Sequence, residues 1–221
     1  MRRVLAGDVL GARIELDADA SWYLTRVLRL GLGDPVVAFD GTGREVPARI
    51  ASAAGPVVLE ASGPVRAARA GRALHLCVAL PKGPAMDLAV RMATELGATD
   101  VWPVLAARTV ATGDRADRWL RVAEAAARQC GRSDLPRFHP PATVEASLGS
   151  IPEGLDRFVA TPGGDAVATD QAAAVWVGPE GGWTPDELSA LIAGGCRPLS
   201  LGPWVLRADT AVAAALARLQ R

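Results

Sequence analysis

The first third of the chain carries short apolar runs broken by turn residues. Val36 to Phe39 is one run, Asp40-Gly41-Thr42-Gly43 supplies a hairpin-type turn, and Val46 to Ile50 and Val57 to Glu60 follow, with Gly55-Pro56 between them. Strands at that spacing predict a small β-barrel of about 70 residues. Gly63 to Arg72 sets Arg66, Arg69 and Arg72 among small residues and reads as a linker. Beyond it the period changes. Ala73 to Leu80 is a continuous apolar run of buried-strand type, and Gly83-Pro84 opens a helix with Pro84 suited to its first position. Met86, Ala89, Val90, Ala93 and Leu96 form that helix's stripe, and Gly97 stands where a C-terminal glycine belongs.

The alternation continues to the end of the chain. Val101 to Leu105 is a strand. Asp114 can cap a helix running to about Cys130, with Trp119, Ala123, Ala126 and Cys130 on one face. Arg157 to Ala160 and Ala173 to Val177 are further strands. Thr184-Pro185-Asp186-Glu187 is a capping box opening a helix that Gly194-Gly195 ends. Leu199 to Leu201 is the last strand and Arg207 to Arg221 the last helix. Strand and helix in turn predict a mostly parallel α/β sheet, so the chain divides into a β domain at 1–72 and an α/β domain at 73–221.

With 221 residues, half of them hydrophobic, disorder and fibre are excluded. Basic and acidic residues number 24 each, so no global field draws in nucleic acid. Residues 108–137, however, hold seven arginines against four acids. Lys82 is the only lysine. Cys77, Cys130 and Cys196 are odd in number and form no CxxC pair, and His75 and His139 are isolated. Neither a disulfide framework nor a zinc site is readable, which points to a reduced, cytoplasmic protein. Asp8 interrupts the first apolar run too early for a signal peptide, and no apolar stretch is long enough to span a membrane.

Three clusters carry candidate chemistry. Val177-Gly178-Pro179-Glu180-Gly181-Gly182-Trp183 joins a buried strand to the capped helix, at the strand end where open α/β sheets bind ligands. Its adjacent glycines let backbone approach a ligand, and the Glu180 carboxylate argues against a phosphate cradle. Leu201 to Ala211 also joins strand to helix. There Trp204, Val205 and Leu206 can floor an apolar pocket, while Asp209 or Thr210 can cap the helix and Arg207 can pair with Asp209. Arg128-Gln129-Cys130-Gly131-Arg132 ends a helix, as a solvated terminus or as a phosphate-contact patch.

These stretches, with Val27-Leu28-Arg29, Ala79-Leu80-Pro81-Lys82-Gly83, Thr94-Glu95-Leu96-Gly97, Arg108 and Pro136, follow one another in an order that resembles the ribosomal RNA small-subunit uracil-N3 methyltransferases. That family is a branch of the SPOUT methyltransferases, and the resemblance covers essentially the whole chain. Trp22-Tyr23 stands where the family usually has histidine, Asp209 where it has glutamate, and Cys130 where it has serine.

The resemblance implies a PUA-like barrel at 1–72 and a SPOUT domain at 73–221 with a C-terminal trefoil knot from Gly178 onward. It implies S-adenosylmethionine held by Ala160, Thr161 and Pro162, by Gly178, Pro179, Glu180, Gly181 and Gly182, and by Leu201, Gly202, Val205, Leu206, Thr210 and Ala211. It also implies a homodimer acting on 16S ribosomal RNA of the small subunit, with Arg26, Arg29, Arg108, Arg128, Gln129 and Arg132 on the RNA, and no metal. Uracil N3 carries a proton, so transfer needs either a base, for which Glu180 and Asp209 are candidates, or cations stabilising the uracil anion, for which Arg207, Arg132 and Lys82 are suited. A SPOUT enzyme with another target base and a non-catalytic RNA-binding protein are the competing readings.

Overall fold

The computed structural model describes residues 2–67, 71–81, 84–109, 115–165 and 169–220. Lys82, Gly83, Arg69 and the expected cap Asp114 lie outside them. The chain forms two units, Met1–Ala70 with Glu124–Leu135, and Gly71–Ala123 with Pro136–Arg221.

In the first unit, alternation decides which face is buried. Along β4 (Arg44–Ser52), Val46, Ala48 and Ile50 point inward while Arg49 is exposed. β4 pairs antiparallel with β3 (Pro35–Phe39) and β5 (Val58–Ala61), and β5 with β2 (Arg13–Glu15). β1 (Arg2–Leu5) joins β3 in parallel, giving the order β1-β3-β4-β5-β2. The expected linker is partly sheet, because Arg66–Ala67 (β6) pairs with Arg44 and Glu45 of β4. Between β2 and β3, Asp17 caps α1 (Ala18–Trp22) by accepting from the Ala20 amide, and the helix continues as a π-helical turn over Tyr23–Val27. Leu24 packs into the core with Val4, Ile14, Val36 and Leu59.

Segment Glu124–Leu135 is held to this unit by polar groups. Arg3 donates to Glu45 (2.9 Å) and to Ser133 (2.7 Å), and the Ser133 hydroxyl donates to Glu45 (2.6 Å). These donors hold the Glu45 carboxyl below its usual value against the opposing effect of burial.

Among the described residues of the second unit every strand pairing is parallel. The strands are β7 (Leu74–Ala79), β8 (Asp100–Leu105), β9 (Arg137–Phe138), β10 (Ala142–Thr143), β11 (Asp156–Asp165), β12 (Ala173–Val177) and β13 (Arg197–Leu199), in the order β10-β8-β7-β12-β11-β13 with β9 beside β8. β7 and β12 are wholly buried because both sheet faces are covered. Leu76, Val78 and Val175 meet α2 (Ala85–Glu95), Trp119 and Ala123 of α3 (Ala116–Cys130), and α6 (Ala208–Leu219). Cys77, Val159 and Trp176 meet α4 (Val144–Ser150) and α5 (Pro185–Ala193).

Several expected boundaries move. Pro84 is the N-cap of α2, not its first residue. Gly97 does close α2. At φ +82 it donates to Thr94 while Ala98 donates to Ala93, the paired bonds of a Schellman ending. Cys130 is exposed; the buried face of α3 runs through Trp119, Ala123, Ala126 and Ala127 and stops a turn short of the helix end. The last strand is Arg197–Leu199 rather than 199–201. Pro198 is accepted there because β13 is an edge strand and its missing N–H interrupts no second ladder.

At the amino end of this sheet the two histidines meet across Asp100. His139 Nε2 lies 2.8 Å and Arg137 Nε 3.1 Å from Asp100 Oδ1, and His75 Nε2 lies 3.4 Å from Oδ2. Trp102 donates to His75 Nδ1 (3.1 Å) and stacks on His139 with ring centres 3.3 Å apart. Among the described residues no group of His, Cys, Asp and Glu is arranged to hold a metal ion, and no helix is long and apolar enough to cross a membrane.

Candidate active site

At the opposite, carboxyl end of the sheet, three chain segments enclose a cavity of about 430 Å³. Ala160-Thr161-Pro162 comes from β11, Gly178 to Trp183 follows β12, and Leu201, Gly202 and Trp204 to Leu206 follow β13, with Ala208 and Ala211 of α6 closing one side. β12 and β11 are neighbours and β13 flanks β11, so these segments leave the sheet side by side. The walls are mostly apolar side chains and main chain, with Thr161 and Glu180 among them as polar residues. Gly182 turns the second segment at φ +71 and donates to the Pro179 carbonyl (2.8 Å). A methyl on Gly178 would lie 3.1 Å from the Trp183 ring, so the absence of a side chain there keeps the indole in place. The buried Trp183 Nε1 has no hydrogen-bond partner among the described residues.

The second segment is anchored by the helix it leads into. Thr184 accepts from the Glu187 amide (3.2 Å), and Glu187 Oε2 accepts from the Thr184 amide (2.8 Å), completing the capping box with Pro185 at the start of α5. The other oxygen, Oε1, accepts from the Ala107 amide (2.6 Å), which lies beyond β8. Burial works to raise the Glu187 carboxyl, but these donors and the Arg108 charge hold it below the usual value. Arg108 itself donates to the Gly181 carbonyl. The capping box is legible in the sequence, whereas its tie to Ala107 joins residues 80 positions apart and has no sequence signal.

The cavity thus brings together Ala160, Thr161, Pro162, Gly178, Pro179, Glu180, Gly181, Gly182, Leu201, Gly202, Val205, Leu206 and Ala211. Trp183, Leu188 and Trp204 line it as well; Trp204 and Val205 are 79% and 86% exposed. Arg207, Asp209 and Thr210 flank the cavity without lining it. The cap of α6 is the exposed Arg207, with no side-chain cap bond, so neither Asp209 nor Thr210 caps the helix. Asp209 accepts instead from the Thr210 amide (2.9 Å), and among the ion pairs of the described residues there is none between Arg207 and Asp209.

In the first unit, Arg132 makes a two-pronged pair with Asp134 (3.1 and 2.5 Å). Arg128 sits 4.6 Å above the Tyr23 ring, and Gln129 is exposed. Arg26 and Arg29 are exposed, the latter in the left-handed region at φ +54. Lys82 lies outside the described residues.

Residues 69–220 match the family model described as an RNA methyltransferase domain, and residues 16–56 that of an RNA methyltransferase PUA domain. The chain is 34% identical over 223 residues to the ribosomal RNA small subunit methyltransferase E of Synechocystis sp., covering 96% of this chain and 74% of that protein. It is 35% identical over 229 residues to the protein of the same name from Mycobacterium bovis, covering 93% and 85%. A crystal structure of a ribosomal RNA small subunit methyltransferase E from Neisseria gonorrhoeae bound to S-adenosyl methionine superposes with a TM-score of 0.89 at 25% identity, covering 98% of this chain and 95% of that one.

Proposed function

Because this chain belongs to the RNA methyltransferase family, alongside the ribosomal RNA small subunit methyltransferases E, we propose that it methylates N3 of one uridine in 16S ribosomal RNA with S-adenosylmethionine as donor. The observation that carries this is the cavity formed by three strand-end segments. Its volume of about 430 Å³ suits a small-molecule site, and its apolar walls suit an adenine ring. The main-chain groups of Gly178 to Gly182 offer polar contacts to the rest of the ligand. Bound there, the donor supplies a sulfonium methyl whose S–C bond is replaced by a bond to N3, leaving a neutral thioether.

The chain's own work concerns the N3 proton, which must leave before or as the new bond forms. Glu180 lines the cavity and is the first candidate base; Asp209, in the first turn of α6, does not line it. Arg207, flanking the cavity at the start of α6, is in this reading the cation that stabilises charge on the uracil oxygens. A cation at a helix N-terminus is disfavoured by the helix dipole, so stability gives it little reason to be there. Lys82 has the same role in this reading. Arg132 serves the partner's site in a homodimer.

Residues 1–72 present Arg26 and Arg29 to RNA, helped by Arg128 and Gln129, while 73–221 carry out transfer and form the knot from Gly178 onward. The protein works in the cytoplasm. The test is incorporation of labelled methyl into small subunits lacking this modification, with mass spectrometry of the nucleosides. 3-Methyluridine at a single site is expected. Label in another base favours a different SPOUT target, and RNA binding without incorporation favours a non-catalytic role. Light scattering checks the dimer.

A further inference from the structure

Arg108, grouped with the RNA contacts on sequence grounds, has its guanidinium on the cofactor loop. Its Nη1 donates to the Gly181 carbonyl, and its Cδ lies 3.1 Å from where a Gly181 Cβ would stand, so the side chain packs against the loop at Gly181. The neighbouring Ala107 amide is fixed at 2.6 Å by Glu187 Oε1. The other Glu187 oxygen takes the Thr184 amide and hydroxyl at 2.8 and 3.1 Å. One buried carboxylate therefore joins the chain leaving β8 to the start of α5, and Arg108 bridges the same two segments one residue further along. A capping box needs only one Glu187 oxygen. The second serves a contact that adds nothing to the helix and fixes the place of Arg108.

We infer that Glu187 and Arg108 are positioning residues for the cofactor loop, acting through the Gly181 carbonyl, and that Arg108 is not an RNA contact. This rests on the reading of the cavity as the S-adenosylmethionine site. The acceptor is a single carbonyl, which needs one donor and no planar fork, so lysine can replace Arg108 where alanine cannot. In Glu187→Gln the amide nitrogen must face the N–H of either Ala107 or Thr184, so one of the two ties is lost whichever way it turns.

The experiment measures S-adenosylmethionine affinity by calorimetry, 16S RNA affinity by filter binding, melting temperature, and steady-state methyl transfer at varied donor concentration. It compares the full-length wild type with Arg108→Ala, Arg108→Lys and Glu187→Gln. Arg108→Ala should bind the donor about tenfold more weakly, the effect of one hydrogen bond from a charged group, with RNA affinity and melting temperature unchanged. Arg108→Lys should recover most of that loss. Glu187→Gln should raise KM for the donor more than it lowers kcat.

RNA affinity that falls in Arg108→Ala while donor affinity holds would overturn the inference and return Arg108 to the RNA. A Glu187→Gln chain that melts earlier yet binds the donor normally below its transition would make that residue merely structural. A wild type that binds no donor would remove the inference along with the reading of the cavity.

Discussion

Two adjacent glycines, Gly163 and Gly164, are held by different physics, and replacing each by alanine separates the two. Gly164 lies at the end of β11, where the pairing with β13 shifts so that Ala160 and Asp165 both oppose Leu199. A Cβ on Gly164 would stand 2.7 Å from the Pro198 carbonyl carbon and 2.8 Å from the amide nitrogens of Leu199 and Ser200. All three are main-chain atoms, so no rotamer change relieves the contact. Reaching an ordinary separation requires the strands to part by roughly 0.7 Å. Overpacking of this kind costs about 2–3 kcal/mol, and the Ser200-to-Asp165 bond (3.1 Å) stretches with it. In a chain of this size that lowers the melting temperature by roughly 4–12 °C.

Gly163 has open space around it but φ +77, so alanine there meets only the left-handed backbone penalty, about 1 kcal/mol. Because Leu201 to Leu206 follow directly from β13, Gly164→Ala should also weaken donor binding. Urea unfolding and calorimetry on both variants provide the test. A Gly164→Ala chain as stable as Gly163→Ala would refute the close-approach argument.

The His75–Asp100 cluster predicts acid sensitivity. Burial holds the His75 imidazole below its ordinary 6.5, although Asp100 pulls it upward, so the unfolded chain takes up the proton first and stability falls as the pH drops below about 6.5. Burial would raise Asp100, but the His139 and Thr99 hydrogen bonds and nearby cations hold it below 3.8, so its contribution is whole above that value and is lost in stronger acid. Unfolding midpoints at pH 7.5 and 5.5 should differ in the wild type and converge in His75→Gln; parallel profiles would count against this account. At the cavity, Arg207→Ala and Arg207→Lys should both retain donor binding and lose methyl transfer, since a forked contact does not survive the change to lysine. Wild-type turnover in either variant removes Arg207 from the reaction.

Elements with a local signal were the ones the sequence could declare. Thr184-Pro185-Asp186-Glu187 announces α5 because cap, proline and carboxylate act within one turn, and β12 is visible because five successive residues are buried. β1 was invisible. Only Val4 of Arg2–Leu5 is fully buried, and its partner β3 is some 34 positions away with no turn between them to mark the pair. β6 hid in a stretch of alanine and arginine because both of its residues are exposed and only backbone bonds make it a strand. At the cavity, glycines and bulky apolar residues marked the walls from the sequence. Trp183 and the Glu187–Ala107 tie depend on which strand ends lie together, and the sheet order decides that.

The three free thiols differ in a way that has practical use. Cys77 and Cys196 are buried, and burial pushes Cys77 well above its ordinary value and Cys196 up to about 12, so neither offers thiolate to a reagent near neutral pH. Cys130 is exposed at the end of α3. A maleimide dye or nitroxide added to the unmodified protein would therefore attach at one place, beside Gly131 and Arg132. Spectroscopy of RNA engagement then needs no engineered cysteine and no removal of native ones.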